Sequence, residues 1–120
     1  MFSAAGFTHA IVRTPGPNFA DGITTAALGK PDYDLVLKQH AAYIATLQQL
    51  GLTVVELDPL LDHPDAHFVE DTAVIVPEVA VIANMGASAR QGEEQAIAPV
   101  LAEYRPLVHI DLPGTFDGGD

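Results

Sequence analysis

The residues best suited to chemistry fall in one stretch, Asp65–Thr72 (DAHFVEDT). It sets three carboxylates, Asp65, Glu70 and Asp71, and the ring of Phe68 just ahead of an apolar, strand-like run. A carboxylate entering a buried strand must find a cation, a set of backbone donors or water, because leaving it desolvated and unpaired drives it to take up a proton. The competing reading is that Glu70 and Asp71 simply face solvent at a strand end. Two further stretches carry acids among turn residues: Asp21-Gly22-Ile23 and the terminal Pro113–Asp120 (PGTFDGGD). For the first, a plain surface Asp-Gly turn competes with a binding role.

Composition narrows the partners. Five Lys and Arg against sixteen Asp and Glu leave a net charge of −11, which repels nucleic acid and anionic membrane surfaces and attracts small cations. Acidity of this kind is also a common route to solubility. The chain has no cysteine, so it offers no disulfide, no thiolate ligand and no thiol nucleophile. No apolar run approaches the roughly 18 residues of a membrane span, and Met1–Phe7 lacks the basic start and sustained apolar core of a signal peptide. A cytoplasmic location is therefore expected. With 48% apolar residues and a mean hydropathy of +0.22, the chain can build a hydrophobic core, and residues 1–120 are expected to form a single domain.

The elements that must hold these acids follow from periodicity and turn chemistry. His9–Arg13 has the β-branched look of a buried strand, and Thr14–Asn18 stops it, opening a long loop that contains Asp21 and Ile23. Pro31-Asp32 opens a helix with Asp32 as its cap. Val36, His40, Tyr43, Leu47 and Leu50 then mark one core-facing stripe up to the terminating Gly51. His40 on that stripe reads as a structural histidine. Thr53–Leu57 is a strand, and the order strand, helix, strand predicts a parallel pairing by a crossover. After the acidic loop 58–70, Thr72–Val76 and Val79–Ala83 read as a hairpin around Pro77-Glu78. A second helix is expected over about 89–104, with Ile97, Leu101 and Tyr104 inward and a kink at Pro99, and Leu107–Ile110 closes as a strand. Residues 72–110 thus spell strand, strand, helix, strand, and residues 9–57 a looser version, which suggests an internal structural repeat.

Ile11–Pro15 (IVRTP), Asp21-Gly22, Pro31–Tyr33, Gln39–Tyr43, Pro64-Asp65, Phe68–Asp71 (FVED), Gly86 with Arg90 and Gly92-Glu93, and Pro113–Thr115 with Gly119-Asp120 resemble, in order, the amino-terminal half of the dimethylarginine dimethylaminohydrolases. The resemblance implies an α/β fold, part of a five-bladed α/β propeller (the pentein fold) with about two of its strand-strand-helix-strand units. It makes this chain the amino-terminal part of a larger catalytic domain. It also implies a hydrolase acting on N-methylated arginine, releasing citrulline and a methylamine through a cysteine nucleophile and a histidine. Neither of those two residues can be assigned here.

By family position, Asp71 would hold the guanidinium, whose planar N–H pairs suit a carboxylate's two oxygens. Phe68 would wall its plane, and Glu70 would also line the substrate. Asp65 and the backbone of Ile23 would meet the α-amino group, and Arg90 the α-carboxylate. Asp117 matches the acid that orients the catalytic histidine. No cofactor or metal is implied, and the only ligand is a small cationic, arginine-derived substrate. Alternatives are an arginine deiminase-like or amidinotransferase-like half-site, or a metal- or cation-binding module using His63, His67, Glu70 and Asp71, although Pro64 argues against a helix carrying both histidines. Strands and helix faces that pack on other blades would be left open in such a piece, so self-association into a homo-oligomer, without catalysis by the chain alone, is expected.

Overall fold

Parallel strands need a long crossover between them, and residues 9–57 supply one. In the computed structural model, which describes residues 6–23, 29, 31–111 and 113–119, strand β1 (His9–Arg13) pairs in parallel with β2 (Thr53–Leu57), His9 opposite Thr53 and Arg13 opposite Leu57. Helix α1 (Tyr33–Gln49) makes the crossover. The chain forms two compact units, Met1–His67 and Phe68–Asp120, and these elements belong to the first. Residues 24–28 of the expected long loop and Asp120 of the terminal motif lie outside the described residues.

Both ends of α1 are closed by the residues that the sequence offers for it. The Asp32 carboxylate accepts from the Leu35 N–H at 3.2 Å, satisfying one of the donors that a helix start leaves open. At the other end Gly51, at φ +91°, lets its own N–H reach the Gln48 carbonyl at 3.0 Å and the Leu52 N–H reach the Leu47 carbonyl at 3.2 Å, a Schellman ending. Nothing surrounds the place where a Gly51 side chain would sit, so the cost of Gly51→Ala is purely conformational. It is expected to destabilise by about 1–2 kcal/mol, read as a lower urea midpoint, and an unchanged midpoint would contradict this ending.

The expected stripe on α1 needs one correction. Tyr43 is 55% exposed, whereas Ile44 is half-buried along with Val36, Leu37, His40, Leu47 and Leu50. The packed face is rotated toward Leu37 and Ile44, because a 3.6-residue period admits either neighbour and the aliphatic side chain is the one turned inward. Burial pushes the His40 pKa down, and the nearby charge of Glu56 only partly offsets this. A histidine depressed in the folded state protonates more readily when unfolded. Its contribution to stability is therefore full above the ordinary value near 6.5 and falls as pH drops through the folded value. His40→Gln is expected to flatten that part of the stability–pH curve, measured by urea denaturation between pH 7.5 and 5.

In the second unit, β3 (Ala73–Val76) and β4 (Val79–Ile82) form an antiparallel hairpin with Val76 opposite Val79, so Pro77 and Glu78 are its turn. Helix α2 (Glu93–Leu101) carries the chain over to β5 (Leu107–His109), parallel to β4, and the sheet order is β3-β4-β5. The central strand and its continuation make the core. Ala80, Ile82, Ala83 and Met85 are buried with Ile97 and Leu101 of α2. Val74, Ile75 and Val76 of β3 are exposed.

Here the second helix departs from expectation. Residues Ser88–Arg90 form a 3-10 turn, Gln91 is extended and Gly92 takes φ +107°, so α2 begins only at Glu93. It runs two residues past Pro99, and Tyr104 lies outside it, 38% exposed rather than inward. Helical periodicity alone cannot register a left-handed glycine between two turns. Among the described residues no helix is long and apolar enough to cross a membrane.

Candidate functional site

The second unit gathers its charged side chains from three local turns. A 3-10 turn, Val69–Thr72, precedes β3 and presents Glu70 and Asp71; the Thr72 hydroxyl pins it by donating to the Val69 carbonyl at 2.6 Å. The turn Ser88–Arg90 presents Arg90, and the left-handed Gly92 folds the chain so that Glu93, three residues on, faces it. Arg90 Nη1 donates to Asp71 Oδ2 at 2.6 Å. Its Nε and Nη2 donate to Glu93 Oε2 and Oε1 at 3.0 and 2.8 Å, a two-pronged pair, and Nη2 also donates to the Phe68 carbonyl at 3.1 Å. At least four of the five N–H groups of this guanidinium are thus committed within the unit.

Burial of that kind selects charges that neutralise one another. The side chains of Arg90 and Glu93 are 9% and 1% exposed, that of Asp71 23%. Burial alone lowers the Arg90 pKa, but the hydrogen bonds and charges of Glu93 and Asp71 outweigh it and the net shift is upward. Arg90 is therefore a permanent cation. Among the described residues, one cation against two carboxylates leaves the cluster at a formal −1, with Asp71 at its more accessible end. Among the described residues no hydrogen bond is made to Asp71 Oδ1.

The terminal acid-and-glycine segment packs against the same carboxylate. The Gly118 N–H donates to the Asp71 carbonyl at 2.7 Å. A Cβ at Gly118 would lie 2.5 Å from the Ala73 carbonyl and 2.7 Å from that of Glu70, and one at Gly119 would collide with Asp71 Oδ1. The segment is tied on by the Phe116 N–H to the Asn84 carbonyl at 3.0 Å, by Asn84 Nδ2 to the Gly114 carbonyl at 2.8 Å, and by Asp117 Oδ1, which accepts from the Gly86 N–H at 3.0 Å. Phe68, 45% exposed, and the exposed Glu70 flank Asp71 in the chain. The unit thus brings Asp71, Arg90, Glu93 and the Asp117–Gly119 segment together.

In the first unit a second acid is built in a similar way. Asp65 is buried, and its Oδ2 accepts from the Ile23 N–H at 2.8 Å. Gly22 permits the approach, since a Cβ there would collide with Asp65 Oδ1. Asp65 and Ile23, distant in sequence, therefore meet in space. Among the described residues no group of three His, Asp or Glu side chains is placed to hold a metal ion.

Sequence reasoning did not give Glu93 a role, and it saw Gly22, Gly118 and Gly119 only as turn residues. The available signal was the Arg90-x-x-Glu93 spacing beside a glycine. A glycine pair next to Asp117 was a second one, since glycine is also the residue that lets backbone approach a side chain closely.

Comparison with known proteins shows what the chain as a whole is similar to. No family model matches the chain. It is 40% identical over 116 residues, 95% of its length, to the N(G),N(G)-dimethylarginine dimethylaminohydrolase of Pseudomonas aeruginosa, and 39% identical over 113 residues, 92% of its length, to that of Streptomyces coelicolor. These alignments cover 46% and 44% of those proteins, so the chain spans about half the length of the curated relatives it matches. A solved structure of a mutant Pseudomonas aeruginosa enzyme complexed with citrulline superposes with a TM-score of 0.92 at 39% identity, over 99% of this chain and 46% of that one. In sequence and fold together, the chain is similar to the amino-terminal half of the dimethylarginine dimethylaminohydrolases, and its mixed α/β fold matches theirs over that part.

Proposed function

We propose that this chain is the guanidinium-holding half of a cytoplasmic hydrolase that converts N-methylated arginine to citrulline and a methylamine. The observation that carries the reading is Asp71: a carboxylate fixed on one oxygen by a buried arginine, in a chain 40% identical to such an enzyme along 95% of its length. Two oxygens on one carbon match the spacing of two N–H groups on a guanidinium, and a pair of charges 4 Å apart at an effective dielectric near 20 attracts by about 4 kcal/mol before desolvation. Phe68 and Glu70 line the guanidinium beside Asp71, and Asp117 orients the catalytic histidine. In the first unit, Asp65 and the backbone of Ile23 take the α-amino group. Arg90, already bonded to Asp71, Glu93 and the Phe68 carbonyl, meets the substrate's α-carboxylate.

The nucleophile must come from outside these 120 residues, because the chain contains no cysteine. Both units then serve as parts of one larger catalytic domain, and the 120-residue chain alone is inactive and self-associates. A colorimetric citrulline assay with N-methylarginine tests both statements. Citrulline is expected from the whole enzyme that carries this segment and none from the segment itself. The opposite pattern would refute the reading, and sedimentation showing a monomer at high concentration would refute the self-association.

A further inference from the structure

We infer that Glu93 is a positioning residue whose negative charge cancels that of Arg90, so that Asp71 keeps a net charge for a cationic ligand. The inference rests on the reading of Asp71 given above. The division of labour within the cluster points to it. Glu93 spends both oxygens on Arg90, at 2.8 and 3.0 Å, and its side chain is 1% exposed. Asp71 gives Arg90 one oxygen only, at 2.6 Å, and is the more exposed of the two acids. Without Glu93 the pair Asp71–Arg90 would be neutral, and a second guanidinium arriving at Asp71 would meet a carboxylate whose charge Arg90 already cancels. With it, Arg90 sets the rotamer of Asp71 as a hydrogen-bond donor while the cluster stays at −1. The same arrangement explains how an arginine can sit against the carboxylate that binds another guanidinium. Its charge is already matched from behind.

The test compares a cation with a neutral ureido analogue in the whole enzyme that carries this segment. KM for N-methylarginine and the inhibition constant of citrulline are measured for wild type, Glu93→Gln, the double variant Arg90→Gln with Glu93→Gln, and Asp71→Asn. Each variant's melting temperature is recorded. Glu93→Gln keeps the size of the side chain and neutralises the cluster, so KM for the cation is expected to rise by about tenfold or more while citrulline inhibition moves by less than about twofold. The double variant restores −1, and its preference for cation over citrulline is expected to return.

Equal weakening of both ligands, no weakening at all, or a double variant that does not regain the preference would each overturn the inference. Should Glu93→Gln fail to fold, the double variant decides alone, since the inference requires it to keep the preference. Asp71→Asn separates the two levels. If that variant still prefers the cation, the reading of Asp71 falls and this inference with it, whereas a lost preference there beside an unaffected Glu93→Gln overturns the role of Glu93 only.

Discussion

Asp71→Asn in the whole enzyme is expected to lower kcat/KM for N-methylarginine by at least about thirtyfold, equivalent to on the order of 2 kcal/mol of lost charge-assisted hydrogen bonding. The substitution preserves volume but removes the charge and turns one acceptor into a donor, so a guanidinium would meet an N–H where it needs an oxygen. Folding should survive. Arg90 would lose one partner, but both of its bonds to Glu93 and the bond to the Phe68 carbonyl remain, so no buried cation is left bare. Steady-state kinetics together with circular dichroism check the prediction, and wild-type turnover by a folded Asp71→Asn variant would remove Asp71 from the site.

The second large effect is on stability. Arg90→Ala is expected to cost about 3–5 kcal/mol, because it leaves the carboxylate of Glu93, 1% exposed, buried with no cation beside it. That is a large share of the roughly 5–15 kcal/mol that holds a domain together. The magnitude discriminates between two roles for this arginine. A surface residue kept only to meet a substrate's carboxylate could be truncated at a cost within about 0.5 kcal/mol. A buried cation shared by two acids could not. Urea denaturation of the variant, followed by far-ultraviolet circular dichroism, gives the number, and a loss below about 1 kcal/mol would show that Arg90 does not hold the turns together.

How much of this was open to reading from the sequence depends on how local the responsible physics is. Helix α1, its Asp32 cap and its Gly51 ending were legible because each is settled by residues within a turn of one another. The two-residue hairpin at Pro77-Glu78 and the crossover between β1 and β2 were legible for a related reason: connection length limits which strand pairings a chain can make. The ordered run of motifs from Ile11 to Asp120 carried the resemblance, which comparison over 95% of the chain supports, since a series of fixed backbone environments leaves its trace in residue types even where each motif is weak.

Tertiary structure decided which acids meet which cation. Glu93 begins a helix beside one other acid, Glu94, where a solvated carboxylate is the ordinary expectation. Only the left-handed turn at Gly92 and the burial of Arg90 at the end of its own turn make it the partner of Arg90. Asp71 and Gly119 are 48 residues apart by their numbers, and Ile23 and Asp65 are 42 apart, so nothing in the spacing along the chain announces that glycines at 22 and 119 are needed for backbone to approach a carboxylate. The exchange of Tyr43 for Ile44 on the packed face of α1 has the same origin. Periodicity determines that a helix has an apolar side, whereas the side chains it meets determine where that side is centred. The sequence thus determined the elements and the chemical types at the site, and the pairing of charges across distant turns was left to the fold, because electrostatic partnership depends on distance in space and on burial, neither of which is a property of neighbouring residues.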